Sequence, residues 1–128
     1  MKTLLLVLLP ISINTYAVTV DEVRYELIEQ NVRFPLIVLS QSILECGWNY
    51  ESRNARENKN LFGLYNSNNN DYFSFDTWQE SVTGYKDMIQ YRYIKGEGYY
   101  HFLQRIGYAS DKDYIWKLKS IVKKLKND

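Results

Sequence analysis

A single cysteine, Cys46, and a single histidine, His101, stand in this chain of 128 residues. One thiol excludes an intramolecular disulfide, so the fold must hold without covalent staples. In an oxidising compartment such a thiol is safest buried, where it packs as a small hydrophobe. No paired Cys/His spacing of the zinc type can be drawn, which argues against a structural metal. An excess of either charge is also lacking, with 16 Lys+Arg against 15 Asp+Glu. That balance lacks the broad positive footprint of a nucleic-acid binder. Lysines do gather near the end (Lys117, Lys119, Lys123, Lys124, Lys126) and read as a solvated helix face with cations near its C-terminus. Internal repeats and linkers are missing, and the only low-complexity tract is an asparagine turn. Together with the length, this leaves one domain with a single modest core.

The one long apolar run lies at the start, MKTLLLVLLPISINTYAVTV. Lys2 supplies a positive n-region, Leu4 to Ile13 the apolar stretch and Thr15-Tyr16-Ala17 a small-residue cleavage site. The run is too short to cross a bilayer and has no stop-transfer flank, so residues 1–17 read as a secretory signal and 18–128 as the mature domain. Secreted or periplasmic placement follows, with no transmembrane segment after signal removal. The alternative is a buried N-terminal helix. Loss of Lys2 leaves 15 basic against 15 acidic residues.

What the chain has in quantity is tyrosine, twelve of them in a sequence that is 16% aromatic. A tyrosine presents an apolar ring face with a hydroxyl at its edge, which suits sugars, although core packing accounts for most such residues.

Thr19-Val20-Asp21-Glu22 fits a capping box, with Val23, Leu27 and Ile28 as a helical stripe to about Asn31. Pro35 opens a second helix to about Gly47, apolar on most sides and therefore central. Residues 49–60 are polar, an irregular or short-helical connection. Leu61 to Asn66 and Tyr72 to Asp76 flank the sequence SNNND and suggest a small β-hairpin, with Phe73 and Phe75 on one side. Thr77-Trp78-Gln79-Glu80 caps a helix that carries Trp78, Val82, Tyr85 and Ile89 and runs to Lys95. A short helix spans Tyr99 to Ile106 and ends at Gly107. Ser110 to Asp113 resembles a cap for the last helix, with stripe Tyr114, Leu118, Ile121 and Leu125. The expectation is a mainly α domain with five helical segments and one hairpin inserted after the central helix.

Within SQSILECGWNYESRN, Gln41 and Glu45 are four apart and share a helix face with Val38, while Trp48 lies one turn beyond. A carboxyl among apolar neighbours pays a desolvation cost when ionised, which raises its pKa and equips it as a general acid. The competing reading is a structural glutamate satisfied by Arg53 or Arg56. Cys46 with His101 as base is a further alternative. It is disfavoured because Cys46 points about 100° from Glu45 and sits where the helix dipole opposes a thiolate.

QSILECGW, then NKNLFGLY, then FDTWQESVTGY, then GYASDKDYIWKL resembles the bacterial glucosaminidase domain family, the endo-β-N-acetylglucosaminidases of the flagellar and autolysin type. The match runs in order across roughly residues 33 to 122. The resemblance implies a lysozyme-like helical fold with a small β-lobe and a cleft. It also implies hydrolysis of the β-1,4 bond after N-acetylglucosamine in peptidoglycan. In the family pattern Q-A-x-L-E-S-G-W-G the catalytic acid falls on Glu45. Asn60-Leu61-Phe62-Gly63 matches the N-L-F-G turn, Tyr108 matches a tyrosine the family needs for activity, and Tyr114 matches a later tyrosine that reads more simply as core.

Cys46 stands where the family usually has serine, Asn49 replaces a frequent glycine and Lys112 a frequent proline. The hairpin has no glutamate where longer members carry a second acid, which leaves Asp71 as the candidate, since Asp76 precedes a helix cap. The expected catalytic set is therefore Glu45, Tyr108 and Asp71, with Gln41, Trp48, Asn60, Phe62, Tyr65 and Tyr72 on the sugar. The partner is a peptidoglycan glycan strand, the chain is expected to act as a monomer, and no cofactor or metal is called for. The 2-acetamido group of the substrate can serve as internal nucleophile where no second glutamate exists. A lytic transglycosylase and a catalytically silent wall-binding module remain as alternatives.

Overall fold

Pro35 fixes the first turn of the most apolar helix among the described residues, and the rest of the fold is built around it. The computed structural model describes residues 17–127; the signal segment expected over residues 1–17 lies outside them apart from Ala17. Among the described residues, six α-helices and one two-stranded sheet follow in order: α1 (Val20–Glu29), α2 (Pro35–Cys46), α3 (Arg53–Glu57), β1 (Tyr65–Asn66), β2 (Asp71–Tyr72), α4 (Trp78–Met88), α5 (Tyr99–Arg105) and α6 (Tyr114–Lys126). A 3₁₀ turn, Gln90–Arg92, lies between α4 and α5. None of the described helices is long and apolar enough to cross a membrane.

α2 buries Val38 through Ile43 and again Cys46, so it is lined on nearly every side. It packs most extensively on α6 and next on α1. α6 turns Leu118, Ile121, Val122 and Leu125 inward and leaves its lysines outside. α1 contributes Val23 and Leu27, both fully buried, whereas Ile28 is exposed and falls outside the expected stripe. The caps form where the hydroxyls predict them: Thr19 accepts from the Glu22 N–H and Thr77 from the Glu80 N–H, each at 3.2 Å. Before α6 the cap differs. Asp113 makes no side-chain cap, and Asp111 instead accepts from the Asp113 N–H at 2.9 Å and pairs with Lys117 at 2.6 Å.

Two other expectations shift. The polar connection contains a real helix, α3, started by Ser52 accepting from the Ala55 N–H at 3.2 Å. The fourth helix ends at Met88 rather than Lys95. Gln90 turns inward there, and its amide donates to the Arg33 carbonyl at 2.7 Å and accepts from the Arg33 N–H at 3.1 Å. That tertiary bridge outweighs one more turn of helix.

The hairpin is shorter than the aromatic alternation implied. Only Tyr65↔Tyr72 and Asn66↔Asp71 pair. Phe73 and Phe75 pack on the core past the end of the ladder, while Tyr72, Ser74 and Asp76 face outward.

Candidate active site

Asn60 organises the turn on which the site rests. Its side chain is fully buried, donates to the Leu64 and Phe73 carbonyls at 2.8 and 3.0 Å, and accepts from the Leu64 N–H at 3.0 Å. Every polar atom of the amide is thereby used. The turn carries the chain to Gly63, at φ +63°, whose backbone lies directly under the Glu45 carboxylate. An ideal Cβ on Gly63 would stand 2.7 Å from Glu45 Oε1. Only glycine permits both that φ and that approach. Tyr108 holds the turn from the other side, its hydroxyl donating to the Phe62 carbonyl at 2.7 Å.

Glu45 is exposed, which corrects the expectation of a carboxyl kept dry by its helix neighbours. The physical reason is periodicity. The apolar residues adjacent in sequence sit on other faces of α2, and Glu45, near the C-terminal end, emerges into a cleft. Its Oε1 accepts from Asn54 Nδ2 on α3 at 3.2 Å. No ion pair joins it to Arg53 or Arg56 among the described residues; Arg53 is paired with Glu57 at 2.7 Å. The structural reading of Glu45 as an arginine's partner therefore has no support.

The cleft, about 420 Å³, is lined by Glu45, Ser52, Arg53, Asn54, Asn58, Asp71 and Tyr72. Asp71 reaches it from β2. Its Oδ1 accepts from the Tyr72 N–H at 2.8 Å, and its Oδ2 makes no hydrogen bond among the described residues. A second depression of about 260 Å³ begins on the other side of Gly63 and includes Tyr65, Met88, Ile89, Arg92, Ile106 and Tyr108. The two depressions meet at the Glu45–Gly63 contact and at the Tyr65–Tyr72 pair, whose rings stand edge to face at 5.5 Å. Both tyrosines are exposed, at 54% and 44%, and one belongs to each arm. The result is a two-armed groove with a carboxylate at the junction.

Three residues expected on the sugar do other work. Gln41 is 2% exposed, and its amide accepts from the Tyr85 hydroxyl and donates to Tyr114 at 2.9 Å. Tyr99 bonds Tyr85 at 2.6 Å and accepts from Gln90 at 3.0 Å, so a relay of polar groups crosses the core. Burial pushes the phenols of Tyr85, Tyr99 and Tyr114 above their ordinary range, which keeps their protons available for donation. The Asn60 side chain and the ring of Phe62 are likewise buried, the latter against Tyr85 at 4.8 Å between centroids. Trp48 is 38% exposed and lines neither arm.

Tyr108 is half-buried, stacked on Tyr114 at 5.7 Å, and burial holds its phenol well above the ordinary range. Its proton is committed to the Phe62 carbonyl. Asn54 and the approach of Gly63 were not read from the sequence as parts of the site. Gly63 lies within the N-L-F-G turn, whereas Asn54 carries no local signal.

Cys46 is buried, and its Sγ donates to the Leu61 carbonyl at 3.3 Å. Burial pushes the thiol up to about 12, which suits packing and not nucleophilic attack. His101 is exposed on α5, 3.7 Å from Glu97. Among the described residues no cluster of His, Cys, Asp and Glu could hold a metal ion.

A family model described as "Glucosaminidase: Mannosyl-glycoprotein endo-beta-N-acetylglucosaminidase" matches residues 22–127. No curated protein and no solved structure matches the chain.

Proposed function

The chain belongs to the glucosaminidase family of glycoside hydrolases, and from that premise we propose that it cleaves the β-1,4 bond after N-acetylglucosamine in peptidoglycan, with Glu45 as proton donor. The observation that carries the assignment is the place of Glu45: at the junction of both arms of the groove, bonded to Asn54 and without a basic partner among the described residues. A bound glycan would displace water from the carboxyl, creating on binding the dry setting that the free protein lacks.

Glu45 passes its proton to the glycosidic oxygen as the C1–O bond breaks, and the leaving sugar departs with that proton. Positive charge on C1 is met by the substrate's own acetamido oxygen, which closes a cyclic oxazolinium. Asp71, with Oδ2 free on the same arm, stabilises the acetamido N–H. Water activated by Glu45, now a carboxylate, reopens the ring. Tyr65 and Tyr72 offer ring faces to the sugars, and Tyr108 acts as a positioning residue through the turn it anchors. In this reading the protein works as a secreted or periplasmic monomer.

The test is Glu45→Gln, assayed on purified sacculi, with products resolved by mass spectrometry. The variant is expected to lose cleavage while keeping its thermal midpoint, and full activity would remove the assignment. A 1,6-anhydro-muramyl product would identify a lytic transglycosylase instead. Retention of the anomeric configuration in the first product is expected for acetamido assistance; inversion would turn Asp71 into a base acting on water.

A further inference from the structure

The two arms of the groove differ chemically, and the difference has a direction. The arm holding Asp71 is lined by polar side chains, Ser52, Asn54 and Asn58, and by Arg53, whose guanidinium is neutralised by Glu57 at 2.7 Å. The arm beyond Gly63 is walled by Met88, Ile89 and Ile106, and one cation, Arg92, lines it. The Arg92 backbone is anchored, its carbonyl accepting from Arg105 at 3.0 Å, while Arg105 is itself held by Glu97 at 2.6 Å. The guanidinium lies over the Tyr91 ring at 5.8 Å and makes no ion pair or hydrogen bond among the described residues. It is thus an exposed, unneutralised charge on an anchored backbone, beside the aliphatic side chains of Met88, Ile89 and Ile106.

Peptidoglycan has a matching asymmetry. Its N-acetylglucosamine carries only hydroxyls and an acetamido group, whereas its N-acetylmuramic acid adds a lactyl ether with an apolar methyl and an acidic peptide. Resting on the hydrolase reading above, Asp71 must face the sugar whose C1 is attacked, which is the N-acetylglucosamine. The next sugar then falls in the other arm. We propose that the Met88–Arg92–Ile106 arm receives the N-acetylmuramic acid on the leaving side, with its lactyl methyl against Met88, Ile89 and Ile106 and a carboxylate of its side arm on Arg92. That carboxylate is either one of the stem peptide's or, where the peptide has been removed, the lactyl group's own. The arm thereby sets which of the two alternating bonds lies over Glu45.

The experiment measures co-sedimentation of Glu45→Gln and Glu45→Gln/Arg92→Gln with three probes: intact sacculi, amidase-stripped glycan and sacculi amidated with carbodiimide and ammonia. On intact sacculi the second protein is expected to bind roughly five- to tenfold more weakly, as for a partly exposed charge-assisted contact. On amidated sacculi the two proteins are expected to bind alike. A defect on stripped glycan identifies the lactyl carboxylate, and its disappearance there identifies the peptide. Equal binding on both intact sacculi and stripped glycan, or an equal defect on amidated sacculi, overturns the proposal. Cleavage by the native chain is scored separately. Loss of the hydrolase reading with an Arg92-dependent, carboxylate-dependent interaction retained would overturn the reaction and uphold this arm.

Discussion

Gly63 and the Glu45 carboxylate occupy adjoining space so closely that a Cβ on Gly63 would lie 2.7 Å from Glu45 Cδ and 2.9 Å from Oε2. The contact joins the end of the central helix to the turn that precedes the hairpin. Gly63→Ala is expected to cost about 1–2 kcal/mol for the left-handed backbone. The carboxylate can swing away, so the clash itself adds little to stability. Activity, by contrast, is expected to fall by roughly hundredfold or more, because a small displacement of the acid ruins its alignment. Parallel urea melts and sacculus assays check this, and an active Gly63→Ala enzyme would show that the contact does not position Glu45.

Tyr108→Phe removes the donor to the Phe62 carbonyl and tests what that hydroxyl does. Loss of one part-buried hydrogen bond is expected to cost about 1 kcal/mol and to slow turnover severalfold through a looser turn. A much larger kinetic loss, roughly hundredfold or more with the stability change still small, would move the hydroxyl to the reacting atoms.

At Gln41 the expected defect is in folding. Gln41→Ala removes the donor to the Tyr114 hydroxyl and leaves the Tyr85 hydroxyl with Tyr99 alone. A loss of about 2–4 kcal/mol is expected from the cavity and the unpaired groups. Chemical denaturation measures it, and a variant as stable as the parent would contradict the relay.

Acid stability follows from two depressed carboxyls. The hydrogen-bonded Arg105 holds Glu97 below its usual value of 4.5, and Lys117 holds Asp111 below 3.8. Each group binds protons more readily when unfolded. Its contribution is therefore complete above the unfolded value and is lost as the pH falls through the lower folded one. The unfolding midpoint is expected to decline below about pH 4.5, and Arg105→Gln is expected to flatten the Glu97 part of that decline. A decline identical in the Arg105→Gln variant would remove Glu97 from the account.

Much of the framework was legible because it depends on neighbours in the chain. Thr19 and Thr77 cap the helices they precede, Pro35 starts α2, and the stripe Leu118, Ile121, Leu125 faces inward, all consequences of helical period and hydroxyl chemistry. Cys46 was read as packing on the same grounds, and its buried thiol agrees. The end of α4 at Met88 is not legible locally, because Gln90 answers to Arg33, which lies 57 positions earlier.

By itself, the sequence determined the starts of the main helices, the hairpin's existence and the family to which the chain belongs, since these rest on spacing along the chain, whereas α3 and the end of α4 were settled by packing. Only the tertiary structure decided that Gln41 and Asn60 serve the interior, that Glu45 stands in open cleft, and that Asp71 and Arg92 border opposite arms. The reason is that exposure and partnership of a polar side chain depend on which distant backbone reaches it. A glutamine one turn from a catalytic candidate looks the same in the sequence whether a sugar or two tyrosines complete its hydrogen bonds.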